Sequence, residues 1–260
     1  MKIPLYQIDA FTGRVFAGNP AAVCPLDAWL PDAVMQSIAL ENNLSETAFI
    51  VRRDGDYDIR WFTPAVETDL CGHATLASGY AVFNFLERAR TAVTFDSKSG
   101  PLRVTMQDGL LGMDFPSRPP QPADPPQMLV EALDVKPSSV WRAVDFMAVY
   151  ESEADLRSLR PDFAKLAAVN SARALICTAP GTDCDFVSRF FAPRQGIPED
   201  PVTGSAHCTL TPYWAKRLGR ASLHARQISA RGGELYCEDR GERVGIAGCA
   251  ALYLEGEIRI

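Results

Sequence analysis

Four side chains, Glu46, His73, Asp200 and Ser205, have types and settings suited to acid–base or nucleophilic chemistry. Glu46 lies in the run Ser45-Glu46-Thr47-Ala48-Phe49-Ile50-Val51, where a strand period of two puts it on the apolar face of Ala48 and Ile50. A carboxyl desolvated there can both give and take a proton. Spacing alone favours the plainer alternative, a carboxylate at the start of a strand with its head turned to water. Asp200 sits in Pro198-Glu199-Asp200-Pro201-Val202-Thr203-Gly204-Ser205, a loop pinned by two prolines, where capping the next helix is its ordinary task. Ser205, His73 and Asp200 together invite a hydrolase triad. No GxSxG elbow accompanies them, and a serine in a helix's first turn lacks the strained, exposed corner of a nucleophile.

Two matched corners flank these residues. Cys71-Gly72-His73-Ala74 and Thr203-Gly204-Ser205-Ala206 each open a helix on glycine followed by small or polar side chains. The first turn of a helix carries unpaired N–H groups and positive partial charge, so it can hold a carboxylate where no side chain blocks approach. Either glycine alone is as well explained by tight packing at a loop-to-helix corner. If the two halves face each other, the helix starts converge on one cleft, where Gly72, Ala74, Gly204 and Ala206 suit a small anion. Asn19, between Gly18 and Pro20, is a candidate to line the same cleft or to serve a turn.

The elements that must position them follow from patterning. Ile3–Asp9, Glu46–Val51, Tyr57–Phe62, Ala92–Ser97, Leu102–Met106 and Leu110–Phe115 alternate as strands, with Asp54-Gly55 and Asp108-Gly109 as hairpin turns. Asp32–Asn42 has helical spacing, with Asn42-Asn43 as its C-terminal cap, and Gly72–Glu87 reads as one long helix, apolar on all sides and therefore enclosed. The six prolines of Pro116–Pro126 mark a linker. Beyond it, Ser139–Phe146, Ala174–Thr178, Asp185–Phe191, Ala225–Ala230, Glu234–Glu238 and Arg243–Ala247 read as strands, with a helix at Thr203–Leu218. The halves repeat. Arg60 and Phe62-Thr63-Pro64 match Arg189 and Phe191-Ala192-Pro193 at an offset of 129; Glu67, Gly72 and Ala74 match Glu199, Gly204 and Ala206 at 132. The expected domains are 1–115 and 116–260, with the last strand free to return to the first.

Composition narrows the partners. The 260 residues are 47% apolar and 22% charged, an ordinary globular balance. The net charge of −6, without a basic run, argues against nucleic acid. The charge-free stretch Leu70–Leu86 is too polar and too short for a membrane span, and the N-terminus does not read as a signal peptide, so a cytoplasmic location is the default expectation. Seven cysteines without a CxxC pair and three histidines support neither a disulfide framework nor a metal site; Cys71-x-His73 and His207-Cys208 are the close pairs, the second better read as helix packing.

Taken together, Asp9-Ala10-Phe11, Gly18-Asn19-Pro20-Ala21, Asn43-Leu44-Ser45-Glu46-Thr47-Ala48-Phe49, Phe62-Thr63-Pro64, Cys71-Gly72-His73-Ala74-Thr75 and Glu199-Asp200-Pro201-Val202-Thr203-Gly204-Ser205-Ala206 resemble the PhzF family of phenazine-biosynthesis-like isomerases over essentially the whole chain. The resemblance implies an α+β, diaminopimelate-epimerase-like fold: two pseudo-symmetric halves, each a β-barrel around a central helix, with the active site in the cleft between them. It implies an isomerase without a cofactor or metal, homodimeric, acting on a small carboxylate-bearing substrate. It also reverses the odds for Glu46, which stands where the family's proton-transferring glutamate does, and makes His73, Asp200 and Ser205 its catalytic partners. Related racemases use two thiols, and the matching positions here are Cys71 and Thr203, which argues against a two-thiol mechanism. An epimerase using Cys71 and a non-catalytic ligand-binding protein remain the alternatives, and the resemblance does not imply phenazine synthesis itself.

Overall fold

The computed structural model describes residues 1–260 apart from Ala172. The chain divides into two compact units, Met1–Asp114 with Ala247–Ile260, and Phe115–Ile246. In chain order the elements are β1 (Lys2–Ala10), β2 (Asn19–Leu26), α1 (Asp32–Asn42), β3 (Glu46–Arg53), β4 (Asp56–Phe62), β5 (Glu67–Thr68), α2 (Gly72–Ala81), β6 (Ala92–Ser97), β7 (Gly100–Gln107) and β8 (Leu110–Pro116). There follow β9 (Gln121–Pro122), α3 (Gln127–Glu131), β10 (Ser139–Arg142), β11 (Phe146–Val149), α4 (Glu153–Ser158), α5 (Phe163–Ala168), β12 (Leu175–Pro180), β13 (Phe186–Ala192), β14 (Ile197–Asp200), α6 (Gly204–Leu218), β15 (Ser222–Gln227), β16 (Gly233–Asp239), β17 (Arg243–Gly248) and β18 (Ala250–Arg259).

In the first unit β2 and β3 are parallel, β3 and β4 antiparallel, β4 pairs with β5 antiparallel and with β6 parallel, and β6 and β7 are antiparallel. The second unit repeats every step with β11, β12, β13, β14, β15 and β16. In each half the central helix sits between the third and fourth of the matched pairings, as a duplication requires. The strand β18 runs antiparallel to β1 from Lys2 to Ala10.

The helix α2 is enclosed because it has no polar face: His73 to Gly79 are all buried, and the helix packs against β1, β2, β3, β6 and β7. Gly79 permits that closeness, since a Cβ there would lie 2.6 Å from Val104 Cγ1. The outer face of β2 to β4 is covered by α1, where Met35, Ile38 and Ala39 meet Ala22, Cys24, Phe49 and Phe62. Asn43 ends α1 in the left-handed region, its N–H bonded to Ala39 O at 3.1 Å. Both expected hairpin turns have positive φ at both central residues, Asp54 and Gly55, Asp108 and Gly109, the type I′ geometry that matches strand twist.

Three expectations need correction. The long helix Gly72–Glu87 is α-helical only to Ala81 and then winds as a π-helix over Val82–Leu86. Apolar content cannot reveal a change of hydrogen-bond register. Ser139–Phe146 is two antiparallel strands, β10 and β11, turned at Asp145, whose buried carboxylate takes both Nε and Nη2 of Arg173 at 3.0 and 2.6 Å. The proline-rich segment is not bare linker, because β9 pairs with β10 and Pro126 starts α3.

Candidate active site

Glu46 is the first residue of β3, and Ala48 and Ile50 on its face are fully buried. That face meets α2, and Glu46 Oε2 lies 3.2 Å from His73 Nε2. The side chains are 14% and 9% exposed. The approach is a charge contact without hydrogen-bond alignment, and Oε2 has no hydrogen-bond donor among the described residues although water is shut out from it. A buried carboxylate oxygen left in this condition is the kind of exception that accompanies chemistry.

Cys71 is the N-cap of α2, and its Sγ lies 3.5 Å from His73 Nδ1 and 4.0 Å from Nε2. The ring of His73 is thus held between a thiol and a carboxylate. Burial by itself works against a charged imidazole, yet the negative charge that Cys71 and Glu46 can carry more than offsets it, and His73 keeps its proton well above the usual histidine range. Burial pushes the Cys71 thiol up to about 11, with the charge of Glu46 adding to the effect and His73 opposing it. The thiol is therefore protonated near neutrality. Donor atoms of Glu46, Cys71 and His73 all lie within 4.8 Å of one another.

The rest of the set in this unit stands on α2 and β2. Gly72 begins α2 and Ala74 is fully buried beside it. Asn19, also fully buried, opens β2, and its Oδ1 accepts from Ser45 Oγ at 3.3 Å, tying β2 to the residue before Glu46. Gly18 makes the turn into β2 possible: it sits at φ +66°, and a Cβ would lie 2.2 Å from Ala10 O.

In the second unit Gly204 begins α6, with Ser205 half-buried and Ala206 buried. Asp200 ends β14, and its Oδ2 accepts a short hydrogen bond from Thr203 Oγ1. Gln227, which sequence reasoning did not single out, fixes this loop. Its Oε1 accepts from Thr203 N at 2.9 Å, and its Nε2 donates to Asp200 O at 2.8 Å and to Thr203 Oγ1 at 3.1 Å. The signal was present: in Ser222–Gln227 the glutamine falls in phase with Leu223 and Ala225, the buried face. One turn into α6, His207 is fully buried against Phe186 and its Nδ1 lies 2.8 Å from Thr203 O. A carbonyl only accepts, so the ring proton is on Nδ1. Burial, only partly opposed by that bond, lowers the His207 pKa to about 4, so the ring is neutral.

The family is decided by comparison. A family model described as phenazine biosynthesis-like protein, PhzC-PhzF, matches residues 8–256. The chain belongs to the PhzF family. An uncharacterized isomerase of Pseudomonas aeruginosa is 50% identical over 260 residues, covering 100% of both chains. The crystal structure of a PhzF family protein from Enterococcus faecalis superposes with a TM-score of 0.98 at 46% identity, again covering 100% of both. The fold extends further, to a probable proline racemase from Agrobacterium radiobacter with a TM-score of 0.64 at 11% identity, covering 99% of this chain and 93% of the other. The PhzF chain accordingly has an α+β fold, shared with that racemase, and is an isomerase. Among the described residues, no helix is long and apolar enough to cross a membrane.

Proposed function

We propose that the protein moves a proton between carbons of a small carboxylate-bearing substrate, with Glu46 as the base that takes it and the acid that returns it. The observation that carries this reading is Glu46 Oε2: buried, without a hydrogen-bond donor, and 3.2 Å from His73 Nε2. A carboxylate oxygen not tied up in an aligned hydrogen bond can take a proton from a substrate C–H, with His73 beside it. Asp200 and Ser205 as partners of the substrate's polar groups, and the helix starts at Gly72 and Gly204 as contacts of its carboxylate, are carried over from the family resemblance. No step in this scheme requires a cofactor. Homodimer formation is carried over from the family resemblance and is tested by sedimentation.

The epimerase alternative draws less support. Its thiolate base would have to be Cys71, which burial keeps protonated, and the matching position in the second half is Thr203. The test is deuterium uptake from D2O into small carboxylates whose C–H flanks a conjugated system. Wild type should label the substrate and Glu46→Gln should not; undiminished exchange in Glu46→Gln would falsify the acid–base role. Exchange lost in Cys71→Ser but kept in Glu46→Gln would move the assignment to the epimerase, and tight binding without any exchange would move it to a binding protein.

A further inference from the structure

The sequence offers Cys71-x-His73 as a two-ligand pair, with Glu67 and Asp69 just before it in the chain, yet neither carboxylate closes with the pair in the fold. The fold supplies the missing ligand from another element. Glu46 at the start of β3 brings its carboxylate to a thiol at the N-cap of α2 and an imidazole in that helix's first turn, with one donor atom from each inside a 4.8 Å span. Among the described residues this is the one group of three such ligands that comes so close.

We propose that Glu46, Cys71 and His73 bind a single zinc ion, and that the bound ion blocks the proton-transfer site. Blocking rests on the function proposed above; binding does not. The donor set selects the metal: one sulfur, one nitrogen and one carboxylate oxygen suit zinc, whereas magnesium and calcium need shells of oxygens. The dimensions suit it as well. Zinc bonds of about 2.3 Å to sulfur and about 2.0 Å to nitrogen and oxygen at tetrahedral angles set ligand pairs about 3.6 Å apart for S and N and about 3.3 Å for N and O. Here Nε2 of His73 is 3.2 Å from Oε2 of Glu46 and 4.0 Å from Sγ of Cys71, with the carboxylate and the thiol inside the 4.8 Å span, so closure asks for a movement of at least about 0.4 Å on the sulfur side. Two of the ligands stand on one enclosed helix and the third on the strand against it, which limits the cost of assembling the shell. Three protein ligands leave a fourth position for water. As the Zn–S and Zn–N bonds form, the Cys71 thiol proton and the Nε2 proton of His73 both pass to solvent, and the metal takes the Oε2 lone pair that would otherwise accept a proton from substrate.

The experiment is titration of the metal-free full chain with Zn2+ by calorimetry and with Co2+ by absorption. Wild type should take up one ion per chain, show a cobalt–thiolate charge-transfer band, and melt at higher temperature with zinc. Cys71→Ser should lose the band and bind zinc more than about 100-fold more weakly, since even outer-sphere changes cost 10- to 100-fold. Should that variant not fold, Glu46→Gln, whose side chain is partly open to solvent, should keep the band while weakening zinc at least about tenfold. No band in wild type, or equal zinc affinity in the variants, overturns the site. Proton exchange by wild type should fall on adding zinc and return with a chelator; exchange that persists at saturating zinc overturns the blockade. Zinc binding with exchange intact in Glu46→Gln leaves the site standing and defeats the functional reading instead, whereas exchange dependent on Glu46 without zinc binding does the reverse.

Discussion

The first turn of α2 and the first turn of α6 are built on one skeleton and put to different uses. Each begins at glycine, and in each the fourth residue after the N-cap bonds back to the N-cap carbonyl: Thr75 Oγ1 donates to Cys71 O at 2.6 Å, and His207 Nδ1 to Thr203 O at 2.8 Å. Around that common frame the chemistry diverges. The register of the paired strands puts Ala174 where the first half has Glu46, because Thr47 faces Phe62 as Leu175 faces Phe191. His73 meets a carboxylate and stays charged, while His207 meets aromatic carbon and a carbonyl and stays neutral. A duplicated fold therefore gives two similar helix starts, of which one has an acidic side chain against its histidine and the other does not, and on the proposed function that difference selects the half that does proton chemistry.

The largest effect should separate the halves by activity. Glu46→Gln is expected to lower proton exchange about 10³-fold and His73→Asn about 10²-fold, the range for general acid–base groups, whereas His207→Asn should stay within about threefold of wild type. Isotope exchange rates on one substrate measure all three. Comparable losses at His73 and His207 would mean that the histidine charge states do not distinguish the halves.

A second contrast lies in stability against pH. The pKa of His207 falls from 6.5 in the open chain to about 4 when folded, so folding favours its neutral form. Its contribution is present above pH 6.5 and is lost as pH falls toward 4, to a total of about 3 kcal/mol. His73 has the opposite sign: raised in the fold, it contributes fully below 6.5, and that contribution is lost as pH rises through its folded value. Urea unfolding between pH 4 and 9 should show His207→Asn flatter than wild type on the acid side and His73→Asn flatter on the alkaline side. Parallel curves for the two variants would break the comparison.

How much of this was legible beforehand depends on how far each feature reaches along the chain. The glycine corners, the two DG hairpins and the matched Arg60 and Arg189 motifs are local, and local chemistry set them. Glu46 could be placed on the correct face of its strand by alternation, but its 3.2 Å approach to His73 joins β3 to α2, a tertiary fact that no spacing encodes. Gln227 was hidden for a related reason: a polar residue in a buried phase shows that a partner exists without saying that the partner is the Asp200–Thr203 loop. The π-turn after Ala81 left no trace because the same apolar residues serve either winding.

The matched arginines give the finest test, since both halves keep the motif intact. Arg60 forks onto Glu67 at 2.7 and 2.9 Å and Arg189 onto Glu199 at 2.7 and 3.0 Å, each guanidinium stacked over the phenylalanine two residues on. Their surroundings differ. Glu67 also holds Lys98 at 2.7 Å, and Arg60 spends its remaining arm on the exposed Asp32. Arg189 instead donates to Leu159 O at 2.7 Å and Leu156 O at 3.2 Å, tying off the end of α4. Lysine keeps the charge but not the fork, so Arg60→Lys leaves Glu67 with another cation, while Arg189→Lys leaves helix-end carbonyls unpaired. The expected losses in urea unfolding are about 1 kcal/mol and about 2 kcal/mol respectively. Equal losses would place the value of the motif in the carboxylate pair alone; a larger loss at Arg189 assigns the excess to its hold on α4.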